Sequence, residues 1–218
     1  MACWSAENAS KAYLRTLKMG KNAKEPDVAE FVSALAAGNS SQLMVEVCAG
    51  AAGATTLALV AAAHQTGGNV VCIVPGLEEL LSSEEALGVN ADCVEFVIGE
   101  ARTLLFNDYR GADFVLIDCT LGDYEGVFRV VQAGAKKNGG AVVVGYNASS
   151  RGSGWKSGSN TQLLPIGQGL LVTRIPATPK VGDGGSSRRS RWVVTVDKCT
   201  GEEHVFRITS AHRNGIQA

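Results

Sequence analysis

The residues with the clearest chemical use lie in Val45-Glu46-Val47-Cys48-Ala49-Gly50-Ala51-Ala52-Gly53-Ala54-Thr55-Thr56, where an apolar run ends, small residues follow and a helical pattern begins. Such a turn lets a ligand approach the backbone closely, and the first N–H groups of the following helix can meet a carboxylate or phosphate. The plainer alternative is a tight strand-to-helix connection. Polar groups also stand at the ends of later apolar runs: Glu100 after 94–98, Asp118 closing 114–118, and Tyr146-Asn147 closing 141–146. By itself Asp118 reads as an ordinary strand-end acid that faces solvent or caps a backbone amide.

These residues need a scaffold, and the hydrophobic pattern supplies one. Runs rich in Val and Ile at 43–48, 70–74, 94–98, 114–118 and 141–146 are continuous rather than alternating, as in strands covered on both faces. Between them, helical patterns are read at 55–64, 77–87 and 124–134, with a short turn at 101–106. This βαβα order predicts a doubly wound, mostly parallel sheet. A helix over 10–19 precedes it, with Tyr13, Leu14 and Leu17 on an apolar face, and a second over 27–36 is bounded by Pro26 and Gly38. After the core, 163–165 and 170–175 flank Gly167-Gln168-Gly169 as a hairpin. Residues 192–196 and 205–208 form a terminal hairpin. The expected organisation is a single domain over 1–218. It has N-terminal helices in 1–40, a core sheet in 43–175, a flexible loop at 176–190 and the extra hairpin at 191–210.

The chain has 218 residues, is 45% hydrophobic and 19% charged, and carries a net charge of −1, which excludes a disordered or supercharged class. The charge is segregated. Residues 1–24 hold five bases and one acid, 25–147 five bases and sixteen acids, and 148–191 seven bases and one acid. The longest apolar stretch is far short of the ~20 residues that span a bilayer. No basic segment followed by an apolar one opens the chain, so a cytoplasmic or nuclear location is expected. The six cysteines form no CxxC pair and no close Cys/His cluster, which argues against structural zinc. Cys48, Cys72 and Cys119 read as small hydrophobes of the core. Lys11, Arg15, Lys18, Lys21 and Lys24 read as a solvated helix face. Arg188, Arg189 and Arg191 beside Trp192, and Arg151 and Lys156 beside Trp155, could hold a phosphate and stack a base. No nucleic-acid module is present, so nucleic acid is not an expected partner.

The spacing of Glu46 and Gly50 resembles motif I of the class I S-adenosylmethionine-dependent methyltransferases, an acid followed by Gly at the second, fourth and sixth positions. This chain has Cys48, Gly50 and Ala52 there, with Gly53 one residue late. Gly99-Glu100-Ala101 is similar to the element whose carboxylate accepts from the adenine amino group. Phe114-Val115-Leu116-Ile117-Asp118 with Asp123-Tyr124 resembles the fourth-strand motif of the caffeoyl-CoA and catechol O-methyltransferases, and Pro165-Ile166-Gly167-Gln168-Gly169-Leu170 their final hairpin. Over essentially the whole chain, a further resemblance is to an uncharacterised plant family with a methyltransferase-like domain. It rests on Trp4-Ser5-Ala6-Glu7-Asn8-Ala9, Glu30-Phe31-Val32-Ser33-Ala34-Leu35-Ala36-Ala37-Gly38 and Gly201-Glu202-Glu203-His204-Val205-Phe206-Arg207. The resemblance implies a Rossmann-like α/β fold with an antiparallel C-terminal hairpin, and S-adenosylmethionine as small-molecule methyl donor. Glu46, Cys48, Gly50, Gly53, Glu100 and Asp118 would line its site. It leaves the acceptor open and extends to dimer formation, which no feature of the chain itself requires.

Three positions depart from the resembled pattern. A ribose-binding carboxylate is expected about 20 residues beyond the glycines. That count from Gly53 reaches Ile73, and the first acids are Glu78 and Glu79 in the next helix. The cation-dependent O-methyltransferases hold a divalent ion with an acid after strand four and an Asp-Asn pair after strand five. Asp118 matches, but Tyr146-Asn147 stands for the pair, and a phenol suits a hard cation poorly, so no divalent metal is expected. Their catalytic lysine corresponds to Leu121. Asp118, Tyr146 and Asn147 remain the catalytic candidates. Tyr146, Asp123 or His64 could take a proton, although a lone His64 near a helix end more often has a structural place. Two functional readings follow: a methyltransferase or S-adenosylmethionine-binding protein with degenerate metal and base positions, or a catalytically inactive interaction protein of the same fold. A nicotinamide-dinucleotide binder is a weaker third.

Overall fold

The computed structural model describes residues 4–19, 28–137, 139–148, 161–177, 190–196 and 203–209. The chain divides into two compact units, Met1–Thr178 and Pro179–Ala218. The first contains helices α1 (Ala6–Met19) and α2 (Val28–Gly38), followed by β1 (Leu43–Val47), α3 (Ala54–Thr66), β2 (Asn69–Val74) and α4 (Leu77–Leu87). A 3₁₀ turn (Gly88–Cys93) leads into β3 (Val94–Ile98), α5 (Ala101–Asn107), β4 (Phe114–Asp118), α6 (Tyr124–Lys137), β5 (Gly140–Tyr146), β6 (Thr161–Leu164) and β7 (Leu170–Pro176). The seven strands form one sheet in the order β3-β2-β1-β4-β5-β7-β6. The first five are parallel, and β7 and β6 are antiparallel, as the hairpin over Gly167-Gln168-Gly169 predicts. Gly167 and Gly169 adopt φ of +55° and +86° in that turn, where a side chain would be strained.

Burial on both faces explains the continuous apolar runs. Val45, Val47, Val71, Ile73, Val115 and Ile117 pack with Leu105 of α5 and Val127 and Val131 of α6. From the same strands, Met44, Val70, Phe114 and Leu116 face the other way, against Ala12 of α1, Val32 of α2 and Leu59 of α3. The third run departs from the expectation of two covered faces. β3 lies at the sheet edge, and none of its residues is fully buried.

The first helix begins at Ala6, four residues before the expected start at Ser10. Ser5 Oγ accepts from Asn8 N at 3.2 Å, and Glu7 pairs with Lys11 at 2.6 Å, so polar residues outside the apolar pattern extend it. Its expected apolar face is also corrected. Leu14 and Leu17 are 55% and 36% exposed, whereas Ala9, Ala12 and Thr16 are buried. Small residues let α1 lie close to α2. There the Trp4 ring covers Gly38 so closely that a Cβ would overlap it, and Ser5 N donates to Gly38 O at 2.8 Å. In the second unit, β8 (Ser190–Val196) and β9 (Glu203–Thr209) pair antiparallel, with Val193 opposite Phe206, as expected for a terminal hairpin. The expected loop at 176–190 falls almost wholly outside the described residues, as do Arg151, Trp155, Lys156, Arg188 and Arg189.

Candidate functional site

The strand order reverses direction between β1 and β4: β2 and β3 extend to one side of β1, and β4 and β5 to the other. Open α/β sheets bind ligands at the carboxyl ends of strands beside such a reversal. The turn at 48–53 leaves β1 at this point, and Asp118 closes β4 next to it. Register places Glu46 beside Cys72 and Leu116, and Asp118 beside Tyr146. Glu46, Cys48, Cys72, Asp118 and Tyr146 therefore project from one face, toward the carboxyl edge of the sheet.

Glu46 is fully buried, and two hydroxyls of the first turn of α3 satisfy it. Thr55 Oγ1 donates to one carboxylate oxygen at 2.6 Å and Thr56 Oγ1 to the other at 2.6 Å. Burial raises its carboxyl above the ordinary range, against the opposing hydrogen bonds from Thr55, Thr56 and the Tyr146 phenol. The acid thus braces the glycine turn from beneath. The two threonines escaped the sequence reading. The signal was present, since an acid inside an apolar strand requires donors and adjacent hydroxyls follow at the next helix start.

Above this brace the turn is open. A Cβ built at Gly50 or Gly53 would meet no atom within 4 Å. Gly53 precedes α3 without a side-chain cap, so N–H groups of the first turn have no capping side chain there. The turn is held at both ends: Cys48 N donates to Ile73 O at 3.0 Å, and Ala52 N to the buried Ser83 Oγ of α4 at 2.8 Å. Ser83, in mid-helix, was not a sequence candidate. At the end of β2, the Glu79 carboxylate folds back over Gly76, 3.0 Å from where a Cβ would stand. An acid of α4 therefore lies over the N-cap of its own helix, two residues beyond β2.

Asp118 is 9% exposed, and its Oδ1 accepts from Thr120 N at 2.9 Å, Thr120 Oγ1 at 2.8 Å and Asn147 Nδ2 at 3.1 Å. Asn147 takes a left-handed φ of +58° as the chain leaves β5, which brings its amide to Asp118. Tyr146 is pushed well above the ordinary phenol range, by burial first and then by Glu46, Cys48 and Asp118. It stays protonated and its O–H is used on Glu46, so it is not a base. The hard-cation set of the resembled O-methyltransferases does not fit here. A phenol replaces one carboxylate, and Asp118 and Asn147 bond to each other.

The other candidates lie differently. Glu100 is exposed and caps α5, accepting from Arg102 N at 3.2 Å and Thr103 N at 2.8 Å. Asp123 pairs with Arg102 at 2.8 Å, and this partner holds its carboxyl below the ordinary range. Leu121 packs into the core on the α5–α6 side. His64 sits in the last turn of α3, at the end of the sheet opposite the glycine turn, which removes it from the candidate bases. Cys48 and Cys72, 24 residues apart in sequence, meet with sulfurs 3.4 Å apart because adjacent parallel strands carry them. No sequence spacing rule could have paired them.

This seven-stranded sheet with its antiparallel end is the class I methyltransferase fold. A methyltransferase from Geobacter sulfurreducens has a TM-score of 0.55 at 18% identity, covering 80% of this chain and 92% of its own. The methyltransferase PaMTH1 from Podospora anserina, solved with SAH bound, has a TM-score of 0.57 at 14% identity, covering 80% and 90%. The O-methyltransferase TomG from Streptomyces achromogenes, in complex with SAM, has a TM-score of 0.52 at 17% identity, covering 81% and 93%. No curated protein sequence matches the chain. The chain belongs to the family described as a protein of unknown function (DUF1442), whose pattern matches residues 1–208.

Proposed function

We propose that this chain is an S-adenosylmethionine-dependent methyltransferase that works without the divalent metal of the catechol type. The observation that carries the reading is the open glycine turn, braced by Glu46 and tethered by Ser83 at the strand-order reversal. A donor carboxylate fits the α3 N-terminus, where backbone N–H groups and the helix dipole favour negative charge. Glu79, folded over Gly76, is placed to accept from ribose hydroxyls, and Glu100 from the adenine amino group at the end of β3. S-adenosylmethionine supplies an electrophilic methyl on a sulfonium. In-line transfer to an acceptor depends chiefly on positioning. The Tyr146 ring and the Asp118–Asn147 pair bound the acceptor side, with Asp118 as a hydrogen-bond acceptor.

The solved structures with bound SAH or SAM support this reading by their shared fold. Its test is a thermal shift of the full chain with S-adenosylmethionine and S-adenosylhomocysteine, with and without a chelator. Ligand at 100 times its Kd stabilises by about 2.7 kcal/mol. The expected result is a rise in Tm with either compound that the chelator leaves unchanged. An unchanged Tm at saturating concentrations overturns the proposal.

A further inference from the structure

We propose that Glu46, Cys48 and Cys72 form a binding site for one Zn²⁺ ion beneath the glycine turn. Each offers one ligand atom, and the three atoms lie within 4.8 Å of one another. All three side chains are buried, at 0%, 3% and 0% exposure. Two thiolates with a carboxylate suit a borderline-soft divalent ion and not magnesium or calcium. Tetrahedral zinc with Zn–S bonds of about 2.3 Å separates two thiolates by roughly 3.8 Å. The sulfurs here stand 3.4 Å apart, so a movement of about 0.4 Å reaches that geometry.

The backbone supplies a second, independent argument. Register sets Glu46 beside Cys72, and Cys48 N donates to Ile73 O at 3.0 Å, so two adjacent parallel chain segments fix all three ligand positions. A divalent ion held by both thiolates would join β1 to β2 where the turn begins. A water molecule would fill the fourth tetrahedral position. Thr55 and Thr56, which already hold the Glu46 carboxylate, would orient it as outer-shell partners. This site stands on side chains beneath the turn and does not depend on methyl-donor binding.

The test uses the full chain, reduced and stripped of metal, and refolded with Co²⁺ as a spectroscopic probe. The expected result is one Co²⁺ per chain, with thiolate-to-cobalt charge-transfer absorption that Zn²⁺ displaces. Cys48→Ser and Cys72→Ser, checked for folding by circular dichroism, should lose the band. Both should weaken Zn²⁺ binding by more than about 100-fold, the upper range for outer-shell losses. Cys119→Ser, whose buried thiol belongs to the opposite core, should keep the band. Absence of a thiolate band in the wild-type protein with excess Co²⁺ overturns the proposal whether or not the serine variants fold. A band that survives both serine substitutions also overturns it. A Tm rise with S-adenosylhomocysteine in a protein lacking the band would reject the zinc site alone.

Discussion

Glu46 makes its contribution by being enclosed. A carboxylate at the centre of the sheet is costly to bury, and Thr55 and Thr56 offset this with one hydroxyl on each oxygen. Replacing Thr56 by Val keeps the shape and removes one of the three hydroxyls that donate to this group. Thr56→Val should therefore lower stability by about 0.5–1.5 kcal/mol in urea unfolding, the usual net worth of a hydrogen bond. A loss below about 0.5 kcal/mol would show that the brace is not needed. The acid itself was legible in the sequence, because a charged residue interrupts an otherwise apolar strand. Its direction was not. The resemblance set Glu46 among the residues lining a ligand site, whereas the side chain turns under the turn to meet α3. Counting likewise reaches Glu79 only as a helix residue, whereas its carboxylate folds back over Gly76.

At the scale of elements, the glycine turn depends on a neighbour it does not touch in sequence. Ser83 in α4 accepts from Ala52 N at 2.8 Å and is fully buried. Ser83→Ala should cost about 1–2 kcal/mol and weaken donor binding as the turn loses its tether, measurable by urea unfolding and titration. Unchanged donor affinity in a folded Ser83→Ala protein would detach α4 from the site. A second expectation concerns the contact of α1 with α3. Burial and then Arg15 hold His64 below its ordinary value. A lowered folded value makes its contribution present above the unfolded value of about 6.5 and lost as pH falls through the folded one. The Tm of wild type relative to His64→Asn should therefore drop as pH is lowered from 7 to 5. A constant difference would contradict the assignment.

Strand and helix positions were readable because apolar runs of Val and Ile demand a covered sheet: the structured spans 77–87, 94–98 and 114–118 fall where the pattern puts them. The face of α1 was not readable. Leucines suggest a buried stripe, but close helix packing selected Ala9, Ala12 and Thr16 instead. Edge position was equally invisible, since β3 has the composition of its buried neighbours and only the sheet order exposes it.

Over the whole molecule, the near-neutral total conceals an acidic middle: 25–147 holds sixteen acids against five bases. That stretch contains the glycine turn, Glu79, Glu100 and Asp118. An acidic field favours a cationic sulfonium over the neutral thioether left after transfer. Raising salt from about 0.05 to about 0.5 M should weaken S-adenosylmethionine binding more than S-adenosylhomocysteine binding, because screening shortens the reach of exposed charges. Equal salt dependence would mean that the field does not act on the ligand.

The turn's role as a ligand cradle is tested most directly by calorimetric titration of S-adenosylhomocysteine into wild-type and Gly50→Leu protein. Gly50 does not adopt a left-handed φ and has open space around a Cβ, so the leucine should fold normally and occupy the cradle. The predicted result is one site per chain in the wild type, with affinity reduced at least about 10-fold, or 1.4 kcal/mol, in a variant of unchanged Tm. No heat with the wild-type protein, or equal affinity in both, would contradict it.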